Sequence, residues 1–95
     1  MYSISIKELL KIINNITIID IRSIEKYNDN HMPGAINIPY TYLISNPEKY
    51  LNFKTDYYIY CKEGIQSTKV CNYLRKRGYK AINIIGGYES WLLEK

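Results

Sequence analysis

The sequence has no long apolar run and few of the residues from which metal sites and disulfide frameworks are built. None of its apolar stretches approaches the ~20 residues that a membrane-spanning helix needs, and its first residues lack a basic segment followed by an apolar one. We therefore expect a cytoplasmic protein with no membrane partner. It has two cysteines and one histidine in 95 residues, with no CxxC pair and no Cys/His cluster, so we expect neither a metal nor a cofactor.

Charge of both signs is present, with a modest basic excess. The 13 Lys and Arg residues against 9 Asp and Glu give a formal charge of +4, which would attract anions weakly. Only the segment from Arg75 to Lys80 clusters the basic residues, and it begins in the last turn of a predicted helix, whose negative C-terminal end favours cations. The 11 tyrosines have no repeated spacing that would indicate a base-stacking surface, so we expect no nucleic-acid partner.

Short β-branched runs alternate along the chain with segments of helical periodicity. The predicted strands are Ser3–Ile4, Ile16–Ile21, Ala35–Ile38, Asp56–Tyr60 and Ala81–Ile85. The predicted helices are Ile6 to about Asn14, a short one from the Ser23 cap through Tyr27, one or two within Tyr40–Leu51, Ser67–Arg77 and Tyr88–Leu93. This alternation predicts an α/β fold, with about five parallel strands flanked by helices on both faces, in one domain over residues 1–95.

Cys61 stands at the join between a predicted strand and the loop that leads into a helix. Ligands of open parallel sheets bind beyond the carboxyl ends of the strands, and the unpaired N–H groups of the following helix favour an anion there. Gly64 allows the loop to curl its amides inward. A free cysteine is usually a small buried hydrophobe, but the polar, glycine-bearing loop favours a reactive thiol at Cys61.

Other residues have simpler interpretations. Cys71 lies on the apolar face of its predicted helix, which favours packing over a resolving thiol. His31 could deprotonate a thiol, but it lies in a Pro/Gly turn and is expected to stabilise that turn. Asp20 and Arg22, at a neighbouring strand end, are expected to hold each other and support the cysteine loop, with an ordinary surface ion pair as the alternative.

Three motifs occur in order along nearly the whole chain. They are Ile19–Arg22 with His31–Pro39, then Tyr60–Ser67, then Gly78–Ala81 leading to Gly86–Trp91. With this order and spacing, the chain resembles the single-domain rhodanese, or thiosulfate sulfurtransferase-like, family.

The resemblance implies that Cys61 is a catalytic nucleophile. It would take a sulfane sulfur from thiosulfate or a persulfide, hold it as a persulfide, and pass it to a thiol or a cyanide-like nucleophile. The loop from Cys61 to Gln66 would cradle the anion with backbone amides, and the candidate substrate-binding residues are Lys62, Glu63, Gly64, Ile65, Gln66 and Ser67. Lys62 is placed to attract a donor. The implied partners are a small anionic sulfur donor and a thiol acceptor, with a sulfur-relay protein as a further candidate.

Two departures from the family pattern bear on the donor. Gln66 stands where many active members carry arginine, so a charge that would assist thiosulfate binding is missing. Asn30 stands where glycine is common before the histidine. The first departure favours a protein or low-molecular-weight persulfide as donor over thiosulfate.

Two alternatives to an active sulfurtransferase differ in chemistry. Related phosphatases and arsenate reductases use a loop one residue longer that ends in arginine; here Ser67 takes that place, and no arginine follows before Arg75. A strong cationic clamp on an oxyanion is therefore missing. The other alternative is a rhodanese-like binding or sulfur-carrier module with little turnover, which Gln66 favours and the retained Cys61 does not.

Overall fold

A five-stranded parallel sheet organises the protein, in the order β1-β5-β4-β2-β3. The computed structural model describes all 95 residues. The strands are β1 (Ser3–Ile4), β2 (Thr17–Asp20), β3 (Ile36–Asn37), β4 (Asp56–Tyr60) and β5 (Lys80–Ile84). The helices are α1 (Ile6–Ile12, extended by a 3₁₀ turn Ile13–Asn15), α2 (Ile24–Asp29), α3 (Tyr40–Ser45), α4 (Pro47–Tyr50), α5 (Ile65–Lys76) and α6 (Gly87–Glu94). The predicted α/β class and parallel sheet are confirmed.

The sheet separates two apolar cores, and successive residues of β4 alternate between them, since side chains of a strand point to opposite faces. Tyr57 and Ile59 join one core, and Tyr58 and Tyr60 join the other. The first core is covered by α3 and α5 and the second by α1 and α6, through Leu43, Val70 and Leu74 on one face and Ile6, Leu9 and Trp91 on the other. Helices therefore flank both faces, as predicted.

Several element boundaries differ from the prediction by one or two residues, including those of α5, β3 and α2. The helix predicted to begin at Ser67 begins at Ile65, because Gly64 adopts a left-handed φ of 96° and turns the chain into the helix two residues earlier. β3 is shorter than Ala35–Ile38, since the Ala35 N–H is used in a turn with Met32 and Pro39 has no N–H to continue a ladder. α2, capped by Ser23 as expected, runs to Asp29.

The remaining elements agree closely with the sequence. Helix α1 begins at Ile6 as predicted, where Ser5 and Glu8 form a capping box, and β4 has the predicted bounds. None of the helices has the length and apolarity required to cross a membrane.

Candidate active site

The Cys61 thiol lies immediately after β4 and lines a cavity of about 410 Å³. β4 is an inner strand, paired with β2 on one side and β5 on the other, so the backbone leading to the cysteine is held on both sides. Cys61 is only 5% exposed. The cavity therefore occupies the place where open parallel sheets bind ligands, with a cysteine at its inner end.

Polar groups converge on the Cys61 sulfur from the Cys61 loop (residues 61–64) and the start of α5. The Gly64 N–H donates to Sγ at 3.1 Å, and the Ser67 N–H donates to it at 3.3 Å. The Ser67 hydroxyl oxygen lies 3.4 Å from the same sulfur. Because the N-terminal N–H groups and the helix dipole favour negative charge, this arrangement suits a thiolate or a persulfide.

The pKa of Cys61 reflects two opposing influences. Burial raises the pKa of the thiol, whereas the hydrogen bond with the Ser67 hydroxyl and those from the backbone N–H groups of Ser67, Gly64 and Glu63 lower it. The hydrogen bonds prevail, and the pKa lies below its ordinary value of 9.0. Cys71, which is fully buried in the same core, has its pKa raised to about 12, chiefly by burial.

The N-terminus of α6 holds the opposite side of the Cys61 loop. The Tyr88 N–H donates to the Cys61 carbonyl at 2.9 Å, and the Glu89 N–H donates to the Lys62 carbonyl at 3.0 Å. A Cβ at Gly87 would overlap the Cys61 carbonyl oxygen and lie 3.0 Å from that of Lys62. Only glycine therefore lets the helix approach closely enough to make both hydrogen bonds.

Asp20 and Arg22 form the expected pair, but it is buried instead of lying on the surface. Asp20 is completely buried, and the Arg22 guanidinium bonds its carboxylate at 2.8 Å. The Tyr60 hydroxyl donates to the same carboxylate at 2.6 Å, and the guanidinium lies 4.0 Å from the Tyr88 ring centroid. Neither member of the pair lines the cavity. They influence the site indirectly. Asp20 accepts a hydrogen bond from Tyr60, which precedes Cys61, and Arg22 packs on Tyr88, whose N–H donates to the Cys61 carbonyl.

The predicted substrate-binding residues divide into two groups. Four side chains line the cavity beside Cys61, namely Lys62, Glu63, Ile65 and Gln66, whereas Gly64 and Ser67 contact the sulfur itself. Gln66 belongs to the first turn of α5 and not to the loop, which corrects its predicted placement. The Lys62 ammonium lies 3.9 Å from the Glu89 carboxylate, and both side chains are mostly exposed. No arginine lines the cavity.

His31 lies outside this cavity. Its Nδ1 is 2.9 Å from the Tyr27 carbonyl oxygen, and the two rings stack with centroids 3.8 Å apart. These contacts stabilise the turn after α2, as predicted. No three His, Cys, Asp or Glu side chains lie together as a metal site would require.

Three residues of the site were missed from the sequence. Lys69, within the helix predicted from Ser67 to Arg77, was not assigned to the site but lines the cavity. Asn83 of β5 accepts a hydrogen bond from the Ser67 hydroxyl; its signal was a polar residue inside an apolar strand, which needs a buried partner. Gly87 was not assigned to the site either, because its close approach to Cys61 depends on how α6 docks.

Comparison with known proteins agrees with this architecture. The sequence model of the Rhodanese-like domain family matches residues 5–94. Over 78 residues the chain is 31% identical to thiosulfate sulfurtransferase GlpE of Coxiella burnetii, covering 81% of this chain and 72% of GlpE. It is 32% identical to the "Putative sulfur carrier protein YrkF" of Bacillus subtilis over 81% of this chain, but only 42% of that longer protein.

A solved structure shows the same fold at greater coverage. The crystal structure of a rhodanese-like domain protein from Staphylococcus aureus superposes with a TM-score of 0.86 at 33% identity, covering 96% of this chain and 91% of that one. The chain belongs to the rhodanese-like domain family, whose members similar to it are named as sulfurtransferases and sulfur carriers.

Replacing Gly87 by alanine should loosen the contact between α6 and the Cys61 loop. We expect Gly87→Ala to lower the free energy of unfolding by about 3 kcal/mol, because a left-handed φ of 58° and a steric overlap both oppose the methyl group. Urea denaturation measures the loss. Gly34→Ala is the matched control, since Gly34 has φ 79° but nothing within 4 Å of its Cβ position, and it should cost only about 1 kcal/mol. Equal losses would contradict the steric role of Gly87.

Alkylation of Cys61 should report the lowered pKa directly. The iodoacetamide reaction requires the thiolate, so its rate should rise with pH along a profile whose midpoint lies below pH 9.0, the ordinary thiol value. Ser67→Ala removes the hydroxyl that is hydrogen-bonded with the sulfur, and because this contact lowers the pKa of Cys61, the whole profile should move to higher pH. The rates are measured by peptide mass spectrometry, with Thr68→Ala, an exposed neighbour on α5, as control. A wild-type profile centred at or above pH 9.0 would rule out activation by the loop.

Proposed function

We propose that the chain is a sulfurtransferase in which Cys61 carries the sulfur as a persulfide. The Cys61 thiolate attacks the sulfane sulfur of a donor, so that a new S–S bond forms as the donor's own bond to that sulfur breaks. The leaving group departs with the bonding electrons, as sulfite from thiosulfate or as a thiolate from an organic persulfide. No external oxidant or reductant is needed, because the sulfur is transferred at the zero oxidation level of a sulfane sulfur while the bonding electrons leave with sulfite or the thiolate.

In the second half of the cycle, the sulfur moves from Cys61 to an acceptor. An acceptor thiolate, or a cyanide-like nucleophile, attacks the outer sulfur of the Cys61 persulfide, and Sγ leaves as a thiolate. Stabilisation of that leaving group by the Gly64 and Ser67 N–H groups assists this step, as preorganised donors do for other developing anions. The convergence of backbone N–H groups on Sγ is the observation that carries the proposal.

The charge around the cavity favours a persulfide donor over thiosulfate. Gln66 contributes no charge, and the charge of Lys62 is partly offset by the neighbouring Glu89. The cavity therefore has less positive charge than a doubly charged small anion such as thiosulfate needs for strong binding. An organic persulfide has one negative charge at the reacting sulfur and requires less compensation. A sulfur-relay protein as partner and a location in the cytoplasm remain predictions from the sequence.

A catalytically weak sulfur carrier is the second candidate. Gln66 in place of arginine favours it, and so does the similarity to a protein named as a sulfur carrier. A carrier would load Cys61 but discharge it slowly to free thiols, which distinguishes it from an enzyme by rate and not by site.

Sulfur loading should depend on Cys61 alone. After incubation with thiosulfate, or separately with a low-molecular-weight persulfide, intact-mass measurement should show one added sulfur that reduction removes, and peptide mapping should place it on Cys61. Cys61→Ser should abolish the addition and keep the fold, whereas Cys71→Ser should leave loading unchanged because that thiol is buried with a raised pKa. Loading that persists in Cys61→Ser would overturn the mechanism.

Restoring a cation at position 66 should change the donor preference. We expect Gln66→Arg to raise kcat/KM for thiosulfate by about tenfold, since a guanidinium can donate two parallel hydrogen bonds to the oxygens of the donor. The gain for an organic persulfide should be smaller. Gln66→Met, similar in size but uncharged, is the control and should not favour thiosulfate. Steady-state kinetics with both donors make the comparison, and an equal gain with both would exclude a charge effect specific to thiosulfate.

A further inference from the structure

A second cavity, of about 360 Å³, adjoins the one that contains Cys61. Its lining is mainly apolar and comes from α3 and α5, through Tyr40, Ile44, Gln66, Lys69, Val70 and Tyr73. We call it the side cleft. Gln66 and Lys69 line both cavities, so a molecule with its sulfur at Cys61 could extend into the side cleft without leaving the protein surface.

Contacts between α3 and α5 fix the shape of the side cleft. The Tyr73 hydroxyl donates to the Ile44 carbonyl at 3.0 Å, which ties the two helices together. The side chains of Ile44 and Tyr73 are partly buried against the core, and Val70, which also lines the cleft, is only 4% exposed. Tyr40 at the rim remains 37% exposed. The cleft is therefore preformed, and an apolar group placed in it would cover aromatic and aliphatic surface that water now contacts.

A single free cation lies at the boundary between the two cavities. Lys69 is three residues after Gln66 on α5, so the two side chains share one face of the helix. The structure contains two ion pairs, and Lys69 belongs to neither. Lys62, the other cation of the Cys61 cavity, lies near Glu89. Lys69 is thus the cation available to a substrate anion placed between Cys61 and the side cleft.

We propose that the side cleft binds the organic body of a low-molecular-weight thiol substrate that carries both an apolar, preferably aromatic, group and a carboxylate. The inference rests on the sulfurtransferase function proposed above and specifies its substrate class. The apolar group occupies the side cleft, the carboxylate pairs with Lys69, and the sulfur meets Cys61. As acceptor, the substrate's thiolate attacks the outer sulfur of the Cys61 persulfide; the substrate becomes a persulfide, and Cys61 regains its thiolate.

The same binding mode serves the reverse step. When the substrate arrives as a persulfide, the Cys61 thiolate attacks its outer sulfur and the organic thiolate leaves with the electron pair. The body of the substrate contacts the same surfaces in both directions. A small hydrophilic thiol would leave the side cleft empty and gain nothing from it.

Four thiols test the proposal as acceptors. They are mercaptopropionate with a phenyl substituent, mercaptopropionate itself, phenylethanethiol and mercaptoethanol, which combine the phenyl and carboxylate groups in all four ways. Cys61 is first loaded with sulfur and checked by intact mass, and discharge is then followed as a function of thiol concentration, with rates corrected for the thiolate fraction of each acceptor. We expect phenyl substitution to raise the second-order rate constant by about tenfold, the size typical of filling an apolar pocket.

Variants separate the two contacts. Tyr40→Ser should remove most of the phenyl advantage, and Ile44→Ala provides a second, conservative change in the same cleft. Tyr42→Ser is the matched control, because Tyr42 lies on the same helix, is 62% exposed and does not line the cleft. Lys69→Gln should remove the carboxylate advantage, about threefold for an exposed pair and smaller in high salt. Lys76→Gln, at the far end of α5, should leave it unchanged. Circular dichroism verifies that each variant is folded.

The outcomes distinguish this inference from the function on which it rests. If Cys61 does not load from any donor, the sulfurtransferase proposal fails and this one fails with it. If Cys61 loads but all four thiols discharge it equally, only the substrate class is overturned, and the cleft is left for a protein acceptor. A phenyl advantage that survives both Tyr40→Ser and Ile44→Ala would also overturn the assignment, because the group would then bind elsewhere.

Discussion

The site depends on the orientation of the peptide units that follow Cys61, whose carbonyls bond to the N-terminus of α6. In a trans peptide the N–H and C=O groups point in opposite directions, so amides that turn toward the Cys61 sulfur direct the adjoining carbonyls away from it. The Lys62–Glu63 peptide shows this: its N–H stabilises the thiolate, and its carbonyl accepts a hydrogen bond from Glu89. A buried carbonyl without a partner would be costly. The N-terminus of α6 supplies those partners, so the geometry at the sulfur is maintained by a helix that never contacts it.

Cys61 and Cys71 illustrate how much the backbone contributes to reactivity. Both belong to the same apolar core, and burial raises the pKa of each. Only Cys61 has a helix N-terminus directed at its sulfur, and only its pKa falls below the ordinary value. The difference arises from the Ser67 side chain together with the backbone N–H groups of Ser67, Gly64 and Glu63, and such N–H groups are carried by every residue except proline. The path of the chain, with one serine side chain, therefore separates the two thiols.

Local signals in the sequence were sufficient for the parallel sheet, the start of α1, the bounds of β4 and the position of Cys61 at the end of a strand. They failed where tertiary contacts decide. The start of α5 was misplaced because the left-handed conformation of Gly64 replaces two loop residues by helix. Lys69 was missed because helical periodicity shows which residues share a face and does not show which cavity that face adjoins. The role of Gly87 depends on a contact with a loop more than twenty residues earlier, which no local pattern reveals.

The central position of β4 has a consequence for the native-state fluctuations of the protein. Edge strands and terminal helices open locally at little free-energy cost, whereas an inner strand is exposed only when most of the sheet separates. The backbone of β4 up to Tyr60 belongs to such an inner strand, since hydrogen-bonded strands flank it on both sides. The contact of α6 with the Cys61 loop is different, because it consists of hydrogen bonds from the first turn of the helix and includes no pair of the sheet. Transient opening of this contact would release the carbonyls of the Cys61 loop while the strand below stays paired, so the anion cradle can soften and re-form without the fold being lost.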